Sequence, residues 1–367
     1  MAPVATCVTD AQADPEPHPT TDLPAVPLSV LDLAPVTAGS TPGDALRATV
    51  ELAQVVESLG FTRFWVAEHH SMPGVASSAP PVLIGAIAAA TSRIRVGSGG
   101  VMLPNHPPLV VAEQFGTLAA LHPGRIDLGL GRAPGTDQNT ARALRRSTTP
   151  LSDDDFPQQL GELVGFFRGG FPDDHPYRAI TAVPGLGDAP PIWLLGSSGY
   201  SAQLAGLLGL PFAFAHHFMA QNTLPALELY RRSFRPSDVL AAPYAMVASQ
   251  VVVADTDERA LELARPLALS FLELRRGNPI PLPTVEQAAA HPWTGVEEAA
   301  MRERLGGQAV GSPDTVRRQL AELLTATQAD ELMVTTTVPD TAARLDSMRA
   351  LRDLFGPADL PRGVAAA

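Results

Sequence analysis

Leu28-Ser29-Val30-Leu31-Asp32-Leu33-Ala34-Pro35 is the stretch on which the fold turns. Its first six residues read as an apolar strand. The chain then reaches Thr41-Pro42-Gly43-Asp44, where Thr41 is placed to cap a helix that begins at Pro42. Behind it Leu46, Val50, Ala53, Val56 and Leu59 recur at helical spacing. A doubly wound dinucleotide-binding sheet would carry a G-x-G-x-x-G turn straight after this strand. Asp32-Leu33-Ala34-Pro35 stands there instead, which weakens that alternative.

The same strand-then-helix rhythm continues outward. Further strand candidates are Arg63–Ala67, Ile94–Gly99, Ile126–Leu130, Ile192–Leu195, Phe212–Ala215, Ala245–Ala254 and Glu331–Thr336, each followed by a helix candidate. Ser312-Pro313-Asp314 repeats the capping device before the last barrel helix. Eight such units predict an α/β fold, a (β/α)8 TIM barrel forming one domain over residues 27–360 behind a disordered tail, 1–26. Two connections are long. Gly131 to Pro190 contains a helix pattern around Gln159–Phe167, and Arg275 to Gly311, rich in Pro, Gly and Ala, follows strand seven and reads as a mobile lid on the catalytic face.

Composition removes several chemistries. Of 367 residues, 45% are hydrophobic and 17% charged, enough apolar material for a sizeable core. All 26 basic residues are arginine, so Schiff-base, pyridoxal phosphate and P-loop lysine chemistry are excluded. With 38 acids the net charge is −12, which disfavours nucleic acid as a partner. The one cysteine, Cys7, permits neither an internal disulfide nor a thiolate metal cluster. No apolar run reaches the ~18 residues of a membrane span, and residues 1–26 lack the basic and apolar blocks of a signal peptide; the expectation is a cytoplasmic protein with no membrane partner.

Four clusters fall at the C-terminal ends of predicted strands, where barrel enzymes carry their active sites. They are Glu68-His69-His70, Gly97-Ser98-Gly99-Gly100, Gly129-Leu130-Gly131-Arg132-Ala133-Pro134-Gly135, and Gly196-Ser197-Ser198-Gly199-Tyr200-Ser201. The last reads as a strand, a small polar turn and a helix start. Its free amides, the hydroxyls of Ser197, Ser198 and Ser201, and Arg132 one strand away would suit a phosphate; an ordinary capping turn with a structural arginine is the plainer reading. Glu68-His69-His70 reads as acid–base or flavin-side chemistry, as a metal site, or as core. Adjacent strand residues face opposite ways and no third ligand stands nearby in sequence, so no metal is expected. His216-His217 poses the same choice between pocket and core. Glycines 97, 99 and 100 indicate a backbone that comes close to something flat, or tight strand packing at the barrel mouth.

Taken in order, Glu68-His69-His70, Arg95–Pro104, Pro123–Arg132 and Trp193–Ser198 resemble the bacterial luciferase-like flavin monooxygenases, over about Leu28 to Leu354. The resemblance implies a TIM barrel that uses reduced FMN and O2, through a C4a-hydroperoxyflavin, to oxygenate a small organic substrate. It assigns the flavin phosphate to Arg132, Gly196, Ser197, Ser198 and Ser201. It sets Ser98, Gly99 and Gly100 beside the ring, with a cis peptide between the two glycines, and puts His216 near the flavin. His69 becomes the catalytic histidine, flanked by Glu68 and His70. It further implies a homodimer and, with no nicotinamide fingerprint visible, a separate NAD(P)H:flavin reductase. The pattern departs from the light-emitting members at Gly131, Ser197 and His216, where they carry a cysteine, an acid and a tryptophan. It looks closer to non-luminescent members, some of which modify natural products. An F420-dependent hydride-transfer enzyme is the rival on the same fold, with Arg145-Arg146 as the extra basic residues that cofactor would favour. A non-catalytic flavin-binding barrel is the second.

Overall fold

The computed structural model describes residues 23–133, 137–145 and 155–356. Cys7, Pro134-Gly135, Arg146 and residues 357–360, all named above, lie outside them. The strands are β1 (Leu28–Asp32), β2 (Arg63–Val66), β3 (Arg95–Met102), β4 (Ile126–Gly131), β5 (Ile192–Gly196), β6 (Phe212–Phe214), β7 (Ala245–Val253), β8 (Ala309–Gly311) and β9 (Glu331–Thr335). They pair in parallel in the order β6-β5-β4-β3-β2-β1-β9-β7, and β6 pairs with β7, so eight strands close a TIM barrel. The short β8 lies outside this ring, paired to the far half of β7 at Val251–Val253. The expected strands are all present, and the eighth of them is β9. Leu23 and Val26 already pack on the core, so barrel contacts begin before residue 27.

Helix α1 (Pro42–Ser58) starts as its sequence predicts: Thr41 and Asp44 form a reciprocal capping box, and Leu52, Ala53 and Val56 face the core. Then come α2 (Pro80–Ala90), α3 (Pro108–Leu121), α4 (Gln138–Arg145), α5 (Phe156–Arg168), α6 (Gly199–Leu208), α7 (Thr223–Ser233) and α8 (Asp257–Arg275). The remainder are α9 (Val285–Ala290), α10 (Gly295–Gly306), α11 (Pro313–Thr327) and α12 (Thr341–Leu354). One hydrophobic cluster lies between helices and strands; a smaller one fills the barrel, centred on Leu31, Trp65, Trp193, Met246 and Met333. At the N-terminal end of the barrel the buried Arg63 guanidinium joins Asp127 at 2.8 Å to Glu331 at 2.9 Å. Removing one partner of such a buried pair costs about 3–5 kcal/mol.

Glycine decides how the β3–β4 side packs. A Cβ at Gly129 would stand 2.1 Å from the Ser98 carbonyl oxygen, and one at Gly97 would stand 2.8 Å from Trp65 Nε1. Bare backbone on β3 and β4 therefore leaves the interior volume to Trp65, Leu31 and Leu195, which arrive from β2, β1 and β5. The β3–β4 register shifts between Ser98 and Val101, and the Gly99–Gly100 peptide there is cis.

The segment after β7 is not a bare loop. It contains the end of α8, all of α9 and α10, and β8. Thr284–Gln287 and Thr294–Glu297 close capping boxes at the two short helices, and Arg276 is paired with Glu273 and Glu297. Leu282 joins Val36 and Ala38 by backbone hydrogen bonds, at 2.8 Å each, so the segment is tied across the barrel top to the β1 loop. Among the described residues no helix is long and apolar enough to cross a membrane.

Candidate active site at the barrel mouth

A cavity of about 710 Å3 opens at the C-terminal end of the barrel, under the segment after β7. Leu33 and Pro35 follow β1, His69 to Val75 follow β2, and His217 follows β6. Gln250 comes from β7 and Thr335 from β9. The roof is mostly apolar, from Leu267, Phe271 and Leu274 of α8 through Ile280 and Leu282 to Leu305 of α10. A space of this size and composition suits a small organic molecule with few polar groups.

The two histidines lie beyond the end of β2 at Val66, so strand alternation does not send them to opposite faces. His69 and His70 both reach the cavity wall, whereas Glu68 is 1% exposed. Its Oε1 is met by His70 Nε2 at 2.8 Å and by His106 Nε2 at 2.7 Å, and its Oε2 accepts from the Met102 amide at 3.1 Å. Burial alone would push the Glu68 carboxyl up, but the bonds from His106, His70 and Met102 hold it below the usual carboxylate range. Glu68 is therefore an anion that orients two imidazoles. The expectation that no third potential ligand lies nearby is corrected. His106, from the turn after β3, brings three groups within 4.8 Å that could hold a metal ion, and its position 36 residues past His70 hid this from spacing alone.

Of the adjacent pair after β6, His217 reaches the cavity and His216 does not appear in its wall. His216 is occupied on both sides, by Thr223 Oγ1 at 2.8 Å and by the Gly307 carbonyl at 2.6 Å, and so ties α7 to the turn before β8. Of the two, His217 is the one that lines the cavity, while His216 serves to join elements behind it. His217 Nδ1 donates to the Ala248 carbonyl at 2.9 Å, which leaves Nε2 as an acceptor; burial pushes the imidazole down to about 4, so it is neutral at pH 7.

Across the mouth, on the β3–β5 side, Ser98 is fully buried. Its hydroxyl donates to the Gly129 carbonyl at 2.8 Å and accepts from the Gly129 amide at 3.0 Å. That hydroxyl is spent on the junction of β3 with β4, so only the backbone of Ser98 remains to face the mouth. Ser197 and Ser198 are half-buried, and Ser198, the N-cap residue of α6, makes no side-chain bond to the helix start. Ser201 is buried against Gly196, where a Cβ would come within 2.9 Å of its hydroxyl. The Arg132 guanidinium lies over the Tyr200 ring, 4.3 Å from its centroid. The structure thus brings Arg132 and the serines of this turn to one side of the mouth, and adds Tyr200 as a partner of Arg132 that sequence reasoning missed. Arg145 turns to Asn105 at 3.3 Å.

Comparison with known proteins gives one family. The model for luciferase-like monooxygenases matches residues 26–331. A luciferase-like monooxygenase of Escherichia coli strain K12 is 47% identical over 329 residues, 90% of this chain and 97% of that protein. The N-acetyl-S-alkylcysteine monooxygenase of Bacillus subtilis strain 168 is 35% identical over 331 residues, 89% of this chain and 97% of that one. Among solved structures, apo-MsnO8 superposes with a TM-score of 0.82 at 40% identity, covering 90% of this chain and 98% of its own.

Proposed function

The chain belongs to the luciferase-like monooxygenase family and is an oxidoreductase, and from that premise we propose that it oxygenates a small organic substrate with reduced FMN and O2. The observation that carries this reading is the pairing, on one barrel mouth, of a phosphate-type cradle with a roofed, largely apolar cavity containing His69.

The residues present fit a flavin phosphate. Arg132 would supply charge, and the hydroxyls of Ser197, Ser198 and Ser201, next to Gly196, would join the uncapped amides at the start of α6. Gly99 and Gly100 would leave bare backbone beside the ring. Reduced flavin, when bound, supplies the two electrons that activate O2, one oxygen atom going to the substrate and the other to water.

The remaining tasks fall to the chain. The segment after β7 excludes water from the cavity. His69, on the cavity wall, holds or moves the proton needed at the reacting centre, and Glu68 acts as a positioning residue through His70 and His106. His217 presents a neutral acceptor to the same space. A homodimer, a separate NAD(P)H:flavin reductase and a cytoplasmic location complete the proposal, carried by the resemblance and the composition.

Anaerobic titration of the purified chain with reduced FMN and with F420, followed by admission of air, tests it. Tight binding of reduced FMN with an oxygen-dependent absorbance transient supports the reading. F420 binding with no response to oxygen replaces it with hydride transfer.

A further inference from the structure

Arg304 is a cation with no anionic partner among the described residues. It stands on α10 in the wall of the cavity, and its guanidinium lies 3.7 Å from the centroid of the Phe271 ring on α8. Among the described residues it has neither a carboxylate partner nor a hydrogen bond, and burial is the one influence on its proton affinity. That burial pushes the guanidinium down to about 10, so it keeps its charge at neutral pH. Neighbouring arginines of the same segment are satisfied: Arg276 by Glu273 and Glu297, Arg302 by Glu298.

Nothing else in the wall neutralises Arg304. The acid there, Asp137, accepts from the amides of Asn139 and Thr140 and from the Thr140 hydroxyl at the start of α4. His217 is neutral, and His69 and His70 bring no negative charge. A second polar group is also unsatisfied: Gln250, 3% exposed and in the same wall, has its Nε2 buried with no hydrogen-bond partner among the described residues. Unpaired polar groups under an apolar roof are costly, and an incoming acceptor removes the cost. The Phe271 ring lies against the guanidinium, which stands in the cavity wall, and the planar N–H fork of a guanidinium is the donor that suits a planar carboxylate.

We propose that the substrate of this enzyme bears a carboxylate, bound at the edge of Arg304, with its apolar body lying under α8 and the roof toward His69. The proposal names the substrate class of the monooxygenase site described above and rests on that reading for the reaction alone.

Calorimetric titration of the full chain, without flavin, with octanoate and with its neutral isostere octanamide tests it. Octanoate is expected to bind about tenfold more tightly, the difference between a charge-assisted and a neutral hydrogen bond. Arg304→Met should abolish that preference while leaving octanamide binding in place, and Arg304→Lys should restore part of it. Equal affinity for the two ligands, no octanoate binding, or a preference that survives in Arg304→Met would overturn the assignment; the last would place the anion elsewhere, at Arg132 for instance. The wild-type comparison needs no variant to fold. Because no flavin or oxygen takes part, failure of the monooxygenase reading leaves this result standing, and failure here leaves that reading untouched.

Discussion

The two sides of the barrel mouth are built from different materials. On the β3–β5 side the wall is backbone: Gly97, Gly99, Gly100, Gly129 and Gly131, then the turn at Gly196–Ser198 into α6. On the side of β1, β2, β6, β7 and β9 the wall is side chains, many delivered by α8, by the stretch after it and by α10 from well outside the barrel strands. Backbone amides and glycines suit a ligand whose shape and charge do not vary, such as a cofactor ring and phosphate. A roof of leucines around one arginine suits a ligand that a family can change by swapping side chains. The proposed division of labour follows: cofactor on the first side, substrate on the second.

The strongest way to break the division is His69→Ala. General acid–base groups contribute about 10^2 to 10^4 in rate. The variant is expected to lose at least about a hundredfold in turnover while reduced FMN binding stays within a factor of a few; stopped-flow turnover and a flavin titration read the two. Equal loss of both would put His69 on the cofactor side. Arg132→Ala should show the mirror image. Its flavin affinity should fall about ten- to a hundredfold, as for one lost charge-assisted contact, with turnover at saturating flavin nearly intact.

Two glycines sharpen the comparison within the backbone wall. Gly129→Ala forces a methyl to 2.1 Å from the Ser98 carbonyl and is expected to cost about 1–3 kcal/mol or more in urea unfolding. At Gly131 the nearest atom is the Val101 carbonyl oxygen at 3.9 Å, so Gly131→Ala should fold normally and reveal itself, if at all, in flavin binding.

The smallest expected effect is on pH. His217 is held near 4 against 6.5 in the unfolded chain, so the unfolded state binds more protons between those values. Stability is complete above about pH 6.5 and declines as pH falls toward 4, by on the order of 1–3 kcal/mol for this one group. His217→Gln should flatten that part of the stability profile, measured by thermal melts across the window.

Legibility followed the same division. That Ser197, Ser198 and Ser201 gather at a strand end and helix start could be read because strand, turn and helix are contiguous in the chain. The Asp44 partner of Thr41 was legible for the same reason. His106 was not, because its meeting with Glu68 depends on how the turn after β3 folds back over β2. Nor was the choice between His216 and His217, which a one-residue difference in facing decides. The turn of the Ser98 hydroxyl toward Gly129 was not legible either, because position in a motif says nothing about where a side chain points.

By itself, then, the chain's sequence determined the eight-fold βα rhythm, the closure of that rhythm into a barrel, the exclusion of lysine chemistry, and the strand-end motifs that carry the family resemblance. Each of these is encoded by local periodicity, by composition or by a short run of residues. Only the tertiary structure decided which of His216 and His217 faces the cavity, that the segment after β7 is a helical roof, and that Arg304 lies beneath it with no carboxylate partner among the described residues. Those facts are sums of contacts between residues far apart in the chain, and burial, the quantity that gives an unpaired arginine its meaning, has no signature in the residue itself.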